Sequence, residues 1–304
     1  MTYPVDLQVH SVYSDGTMTP AELVAHAVER GVCVLALTDH DSVKGVPEVL
    51  AAGAEAGIEI VPAVELSIRH EPERDFVDLD ILGYWIDHTD PGLQAMIQKV
   101  INGRVAQKIR QIEIMQSYGI DVPVEEVLAL AKGVPGRPHI AQVVMKHNPG
   151  RFRDVQEIFD EFLSAGARAH VPRPFSLTVE MAVELISNAG GIPVLAHPGI
   201  YKGVRDVDNM IRRVAALGVR GLEVWYAYKQ NRTHQGISDA EIQAMVAHFE
   251  TLADKLGLLK TGGSDFHGAR KPGLEIGDGG MTLDAYKELK TKVFASRSQP
   301  VLAL

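Results

Sequence analysis

Short apolar strands alternate with helical stretches over most of this chain, and that alternation restricts its fold more than any other feature. The first strand reads Val5 to His10, and Thr19-Pro20-Ala21-Glu22 then opens a helix that ends at Gly31. Thr19 suits the N-cap, Pro20 the first helical position and Glu22 the reciprocal capping contact three residues on. A second strand, Val32 to Thr38, a helix from Val46 to Ala56 and a third strand, Ile58 to Leu66, continue the rhythm, and a fourth strand covers Phe76 to Ile86. Strands alternating with helices predict βα units and a parallel sheet.

From Asp90 to Ser164 the pattern changes to helices alone, including Leu93 to Tyr118 and His139 to His147. The alternation then resumes with strands at Ile192–Ala196, Val219–Trp225 and Leu258–Gly262 and a closing helix over Asp284–Ala295. The expected organisation is an α/β catalytic domain of residues 1–89 and 172–304, interrupted by a helical insertion or lid at 90–171.

Composition supports a packed globular chain: 304 residues, 46% apolar, can bury a large core. The formal charge of −9 argues against a surface that neutralises duplex DNA, while bound divalent cations would let an acidic protein take a small phosphate substrate. The single cysteine, Cys33, forms no intrachain disulfide and reads as a structural thiol in an apolar run. No run of about 18 apolar residues appears, so no membrane partner is expected and a cytoplasmic location is the simplest expectation.

The acidic residues and histidines fall in one kind of place. His10 and Asp15 follow strand one, and Asp39, His40 and Asp41 follow strand two. Glu65 ends strand three, Asp80 lies in strand four, His197 ends strand five, Glu223 lies in strand six, and Asp265 and His267 follow strand seven. In a βα barrel those strand ends converge on one face. One such residue is usually a cap or a solvated group; agreement at consecutive strand ends is hard to obtain by chance. Carboxylates and imidazoles packed there repel and compete unless cations bind, and a set without thiolate suits manganese, iron or zinc, with magnesium less favoured because of the histidines. His26, His70, His88, His147, His234 and His248 lie in helices, loops or helix ends and read as ordinary structural or surface groups.

The motifs Asp6-Leu7-Gln8-Val9-His10-Ser11, Ser14-Asp15-Gly16, Leu37-Thr38-Asp39-His40-Asp41, Ala63-Val64-Glu65, Leu195-Ala196-His197-Pro198-Gly199 and Gly263-Ser264-Asp265-Phe266-His267 occur in the order of the PHP (polymerase and histidinol phosphatase) family, which this chain resembles. Gly136-Arg137-Pro138-His139-Ile140-Ala141 resembles its metal-dependent phosphoesterase branch, which includes enzymes of nucleoside 3′,5′-bisphosphates and of short RNA. The resemblance implies a distorted seven-stranded barrel with two or three metals. It implies one metal on His10, Glu65 and Asp265, a second on Asp15, His40 and His267, and a third on Glu65, Asp80 and His197. Two positions depart from the family pattern: Gln8 stands where the first His belongs, leaving at most a weak neutral ligand, and Asp80 stands where strand four usually carries His.

The implied reaction is hydrolysis of a phosphate ester by metal-activated hydroxide, with Asp15, His40, His197 and Asp265 at its centre. The implied substrate is a small phosphorylated molecule, a nucleotide or a short single-stranded RNA. Arg137 and His139 beside a helix N-terminus, and Arg168, are candidate phosphate contacts. Tyr201, Lys202 and Trp225 are candidate pocket walls. Two rival readings are a metal-dependent amidohydrolase of C–N or C–O bonds, and a PHP-fold binding protein with weakened catalysis.

Overall fold

The computed structural model describes residues 2–131, 134–164, 166–234 and 236–297. Seven strands form one curled sheet in sequence order: β1 (Val5–Val9), β2 (Val34–Leu37), β3 (Glu59–Ser67), β4 (Asp80–Tyr84), β5 (Ile192–Leu195), β6 (Gly221–Glu223) and β7 (Leu259–Thr261). The curl brings the segment after β7 back onto β1. The Leu7 amide donates to the Gly262 carbonyl (3.1 Å), and the Asp265 amide donates to the Gln8 carbonyl (2.8 Å). Backbone approach this close requires glycine at Gly263, where a Cβ would lie 2.5 Å from the Gln8 nitrogen.

Ten helices are described, of which α1 (Pro20–Glu29), α2 (Val46–Ala56), α7 (Val179–Asn188), α8 (Val207–Ala216), α9 (Asp239–Leu256) and α10 (Leu283–Arg297) accompany the sheet. Helix α1 begins as its sequence predicts: the Thr19 hydroxyl accepts from the Glu22 amide while the Glu22 carboxylate accepts from the Thr19 amide. Helices α3 (Pro91–Ser117), α4 (Val124–Leu130), α5 (Arg137–His147) and α6 (Val155–Ile158) lie between β4 and β5 in the chain. They share an apolar cluster built from Ile112, Met115, Val127, Ile140, Val144 and Phe162, separate from the clusters under the sheet. Residues 159–163 extend α6 as a π-helical turn. No helix among the described residues is long and apolar enough to cross a membrane.

The expectation of parallel strands fails at β4, which runs antiparallel to both β3 and β5. Only a three-residue 3₁₀ turn lies in the link between Ser67 and Asp80, and a link without a crossover helix returns the chain in the opposite direction. The reversal has a consequence for chemistry. Asp80 is the first residue of β4 and pairs with Ser67, so the start of β4 lies at the same rim as the ends of its neighbours.

Candidate metal centre

Each element delivers its polar residues to that rim for a local reason. The loop after β1 turns back tightly, and a Cβ at Gly16 would lie 2.1 Å from the His10 carbonyl oxygen. That turn places Asp15 beside His10. After β2, the Asp39 carboxylate collects the Ser11 amide (2.7 Å) and the Ser11 and Ser14 hydroxyls (2.6 and 2.5 Å), which ties the first two loops together. Three residues at the rim hold left-handed backbone: Asp41 at φ 48°, His197 at φ 25° and Asp265 at φ 58°. Such conformations cost free energy outside glycine and persist only where surrounding contacts enforce them.

Glu65 sits at the centre, fully buried. Its Oε2 lies 3.1 Å from His10 Nε2 and 3.3 Å from His40 Nδ1, and its Oε1 lies 3.1 Å from His197 Nε2 and accepts from the Gln8 amide at 3.1 Å. His10 Nε2 also lies 3.3 Å from Asp265 Oδ1, and His267 Nε2 lies 3.3 Å from Asp15 Oδ1. The rings of His10 and His267 stack at 4.1 Å. Tyr201 supports the rim from below, its hydroxyl donating to the Ala196 carbonyl (2.9 Å) and accepting from the Asp80 amide (3.2 Å). The second oxygen of Asp265 is taken by the Tyr226 hydroxyl (2.9 Å) and the Lys271 ammonium, leaving Oδ1 turned toward the histidines.

Protonation across the rim shows how far these groups depend on neighbouring charge. Burial alone would raise Glu65, yet His40, His10 and His197 hold its carboxyl below the usual range. Burial works the same way on Asp15, and is overcome by His267 and His40. Burial pushes His197 down, but its bond to Glu65 carries it up to about 9. At Asp80 the compensation falls short: burial, with Glu65 adding like charge, outweighs His197 and the Ser67 hydroxyl and lifts it to about 7. Protons on imidazole are here balancing carboxylates whose other natural partner is a divalent cation.

The donor set fits such cations. Ligand atoms of His10, Asp15, His40 and His267 all lie within 4.8 Å of one another, as do those of His40, Glu65 and Asp80. Among the described residues, buried His10 Nε2, His40 Nδ1, Asp15 Oδ1 and Glu65 Oε2 have no hydrogen-bond partner, the state of a ligand atom rather than a structural one. Gln8 directs its amide nitrogen to Glu65, and its Oε1 is one more buried atom without a partner.

The chain's match to the PHP domain model runs over residues 6–171, more than half its length. It belongs to the PHP domain family. A 3′,5′-nucleoside bisphosphate phosphatase of Chromobacterium violaceum is 30% identical over 279 residues, covering 90% of each chain. A 5′-3′ exoribonuclease of Haemophilus influenzae is 33% identical over 228 residues, covering 74% of this chain and 80% of its own. A solved protein of Bifidobacterium adolescentis, named among the metal-dependent phosphoesterases, superposes with a TM-score of 0.78 at 27% identity, covering 95% of this chain and 96% of that one. This PHP chain is a metal-dependent phosphoesterase.

The remaining candidates from the sequence separate. Arg137 lines a cavity of ≈ 250 Å³ together with Asp15, His40 and Asp80. His139 is buried behind it, where its Nδ1 accepts from the Gly136 amide (3.0 Å) and caps α5. Arg168 is not among the residues lining that cavity; its side chain is 55% exposed and paired with Glu161 at 3.2 Å. Trp225 lines a different hollow with Tyr226 and Tyr228 and donates to Glu250 (2.9 Å). Cys33 is half-buried, its thiol donating to the Pro4 carbonyl. His26, His147 and His248 pair with Glu275, Glu126 and Asp208.

Sequence reasoning missed the wall facing the rim, made by Arg104, Lys108 and Arg173 with Arg137. Lys108 is buried, and its only acceptors among the described residues are the amide oxygens of Gln111 (2.8 Å) and Gln107 (3.1 Å). Burial, then Arg104 and Arg173, hold its ammonium well below its ordinary range. Arg104 leads the causes that lower Arg173 to about 10, and Arg173 Nη1 is buried without a partner. Arg104, Lys108 and Gln111 are spaced i, i+4, i+7 on one face of α3, all buried. Polar residues at that spacing are the signal that was available.

Proposed function

We propose that this PHP chain hydrolyses a phosphate ester of a nucleotide carrying a second phosphate. The observation that carries the proposal is one cavity lined both by the rim residues Asp15, His40 and Asp80 and by four cationic side chains, Arg104, Lys108, Arg137 and Arg173. Divalent cations, manganese first, would polarise the phosphoryl oxygens and make water reactive at neutral pH. The ligand sets are proposed as His10, Glu65 and Asp265; Asp15, His40 and His267; and Glu65, Asp80 and His197. Gln8 serves chiefly to orient Glu65.

The chain's own groups then divide the work. Tyr226 and Lys271 hold Asp265 so that a single oxygen faces the centre. Lys108, Arg137 and Arg173 receive the phosphate that does not react: Lys108 and Arg173 Nη1 are buried without a carboxylate partner among the described residues, and Arg137 stands at the cavity's exposed edge. Holding the substrate at both ends fixes the reacting phosphorus against the rim, which is how positioning lowers a barrier. Helices α3 to α6 act as the lid domain at 90–171, and residues 1–89 and 172–304 as the distorted-barrel catalytic domain.

A second reading, a short single-stranded RNA, is favoured by one observation. A second hollow of ≈ 420 Å³, which shares Ile68, Asp78, Lys108, Arg137 and Arg173 with the cavity's lining, is flanked by Gln107, Gln111, Pro172 and Pro174. A screen of phosphate release by the Mn²⁺-loaded protein, over nucleoside monophosphates, 3′,5′-bisphosphates and short 5′-phosphorylated RNA, tests both. Substrates with a second phosphate are expected to exceed monophosphates in kcat/KM by about tenfold or more. Equal rates for all three, or hydrolysis of C–N bonds in their place, would defeat the proposal.

A further inference from the structure

Helix α3 does more than roof the cavity. Arg104, buried on that helix, reaches across to the sheet: its Nε donates to Asp41 Oδ2 at 2.5 Å and its Nη2 to the Ser67 hydroxyl at 2.6 Å. Asp41 is the residue after His40 and is fully buried. Arg104 is its only ion-pair partner among the described residues. The rest of Asp41 is fixed to the end of β3, its amide donating to the Glu65 carbonyl (2.8 Å) and its Oδ1 accepting from the Ser67 amide (3.0 Å). Its backbone lies at φ 48°, a conformation an aspartate leaves unless it is held. Helix α3 can come this near because Gly103 packs against the chain at Phe175, where a Cβ would lie 2.9 Å from the carbonyl oxygen.

We infer that Arg104 is a positioning residue for the metal ligand His40, acting through Asp41, so that the helical run between β4 and β5 is structurally part of the metal centre. The inference rests on the metal-centre reading above. Without the guanidinium, Asp41 is left as a buried carboxylate lacking its counter-charge. The turn can then relieve both that charge and its left-handed backbone by swinging outward, and His40 moves with it. The nearest neighbour of His40 across this turn is Glu65 Oε2 at 3.3 Å, so a small rotation of the turn separates the two ligands.

The test is Mn²⁺ stoichiometry and affinity, measured by atomic absorption after gel filtration and by the low-temperature EPR signature of neighbouring Mn²⁺ ions. The chains compared are wild type, Arg104→Met, Asp41→Asn, the double variant and, as reference, His40→Ala. Arg104→Met and Asp41→Asn are expected to weaken one Mn²⁺ position by about 10- to 100-fold, as loss of a partner behind a ligand does. Both should reproduce the EPR change of His40→Ala, the double variant should be no worse than either single, and Arg104→Lys should recover part of the affinity. Full Mn²⁺ content and an unchanged spectrum in both single variants would overturn the inference. Should those variants not fold, Arg104→Lys, which keeps the counter-charge but not the two-pronged contact with Asp41 and Ser67, takes their place; weakened Mn²⁺ binding supports the inference, and wild-type binding refutes it. A wild-type chain that takes up no divalent cation sinks the metal reading and this inference together, whereas variants that match a cation-binding wild type sink this inference alone.

Discussion

Two walls of one cavity carry opposite charge and come from differently built parts of the chain. The ligand rim is assembled by the sheet, with His10, His40, Glu65, Asp80, His197 and Asp265 drawn from strands and loops far apart in sequence. The wall opposite is assembled by helices: Arg104 and Lys108 from α3, Arg137 from the first position of α5, and Arg173 from the segment before α7. The rim's groups crowd one another at close range, whereas Lys108 and Arg173 on the cationic wall have no carboxylate partner among the described residues. Close mutual approach of groups with lone pairs still free suits a centre that holds cations. Unmet charge suits a surface that waits for an anion.

The comparison breaks most sharply at the rim. Asp265→Asn and His40→Ala are each expected to lower phosphate release by the Mn²⁺-loaded protein on the order of 10²–10³-fold or more while circular dichroism stays native. Wild-type rates in both would mean that the rim is a buried ion-pair cluster and nothing else. Lys108→Met on the other wall should act differently. It removes a buried ammonium held up only by amide oxygens, so KM for a substrate with a second phosphate is expected to rise about 10- to 100-fold. At the same time Tm should rise, because a desolvated charge has been replaced by an apolar side chain of similar length. Steady-state kinetics and a melting curve on one preparation check both signs, and a KM unchanged for every substrate would show that the wall does not meet the anion.

The two walls also differ in how much of them could be read in advance. Rim residues were legible because a strand end is a position that sequence marks: an apolar run stops, and Asp, Glu or His follows. Even so, the reversed strand was not. Asp80 reads as an interior residue of a strand from Phe76 to Ile86, and only the antiparallel course of β4 explains why it reaches the rim. Arg104 and Lys108, marked only by their shared face on α3, were harder to read for the opposite reason. Charged residues within a long helix usually face water, and here helix α3 packs closely at Gly103 against the chain at Phe175, which only the tertiary structure shows. The same limit applies to Gln8, whose departure from the family pattern was plain while its hydrogen bond to Glu65 was not.

His139 bridges the two walls in another sense, as a group behind the cavity whose protonation affects the fold. Burial first, then the nearby charge of Arg270, depresses it from about 6.5 to about 4. A base with a depressed pKa in the folded state is protonated earlier in the unfolded chain. Its contribution to stability is therefore complete above pH 6.5 and is lost as pH falls toward 4. Each unit is worth about 1.4 kcal/mol, so the loss across that window is about 2–3 kcal/mol. Gln at this position can still accept from the Gly136 amide and does not titrate. Melting curves of the wild type and His139→Gln at pH 7.5 and pH 5 should show a shallower acid loss in the variant; parallel losses would place the acid sensitivity elsewhere.

The smallest effect expected is at Arg168, and it sharpens the boundary of the cationic wall. Arg137 and Arg168 look alike in the sequence, each a basic residue in the helical stretch near a glycine. In the structure Arg137 lines the cavity, while Arg168 is 55% exposed, pairs with Glu161 and lies over the rings of Phe162 and Tyr118. An exposed pair of this kind contributes about 0–1 kcal/mol. Arg168→Ala should therefore leave kcat and KM within about twofold of wild type and lower Tm by no more than a few degrees. Arg137→Ala, in the same assay, should raise KM for the doubly phosphorylated substrate by about tenfold. If Arg168→Ala raised KM as much as Arg137→Ala does, the helical run would have to close over the substrate far enough to carry Arg168 into the cavity. The anion wall would then be completed by motion and not fixed in place.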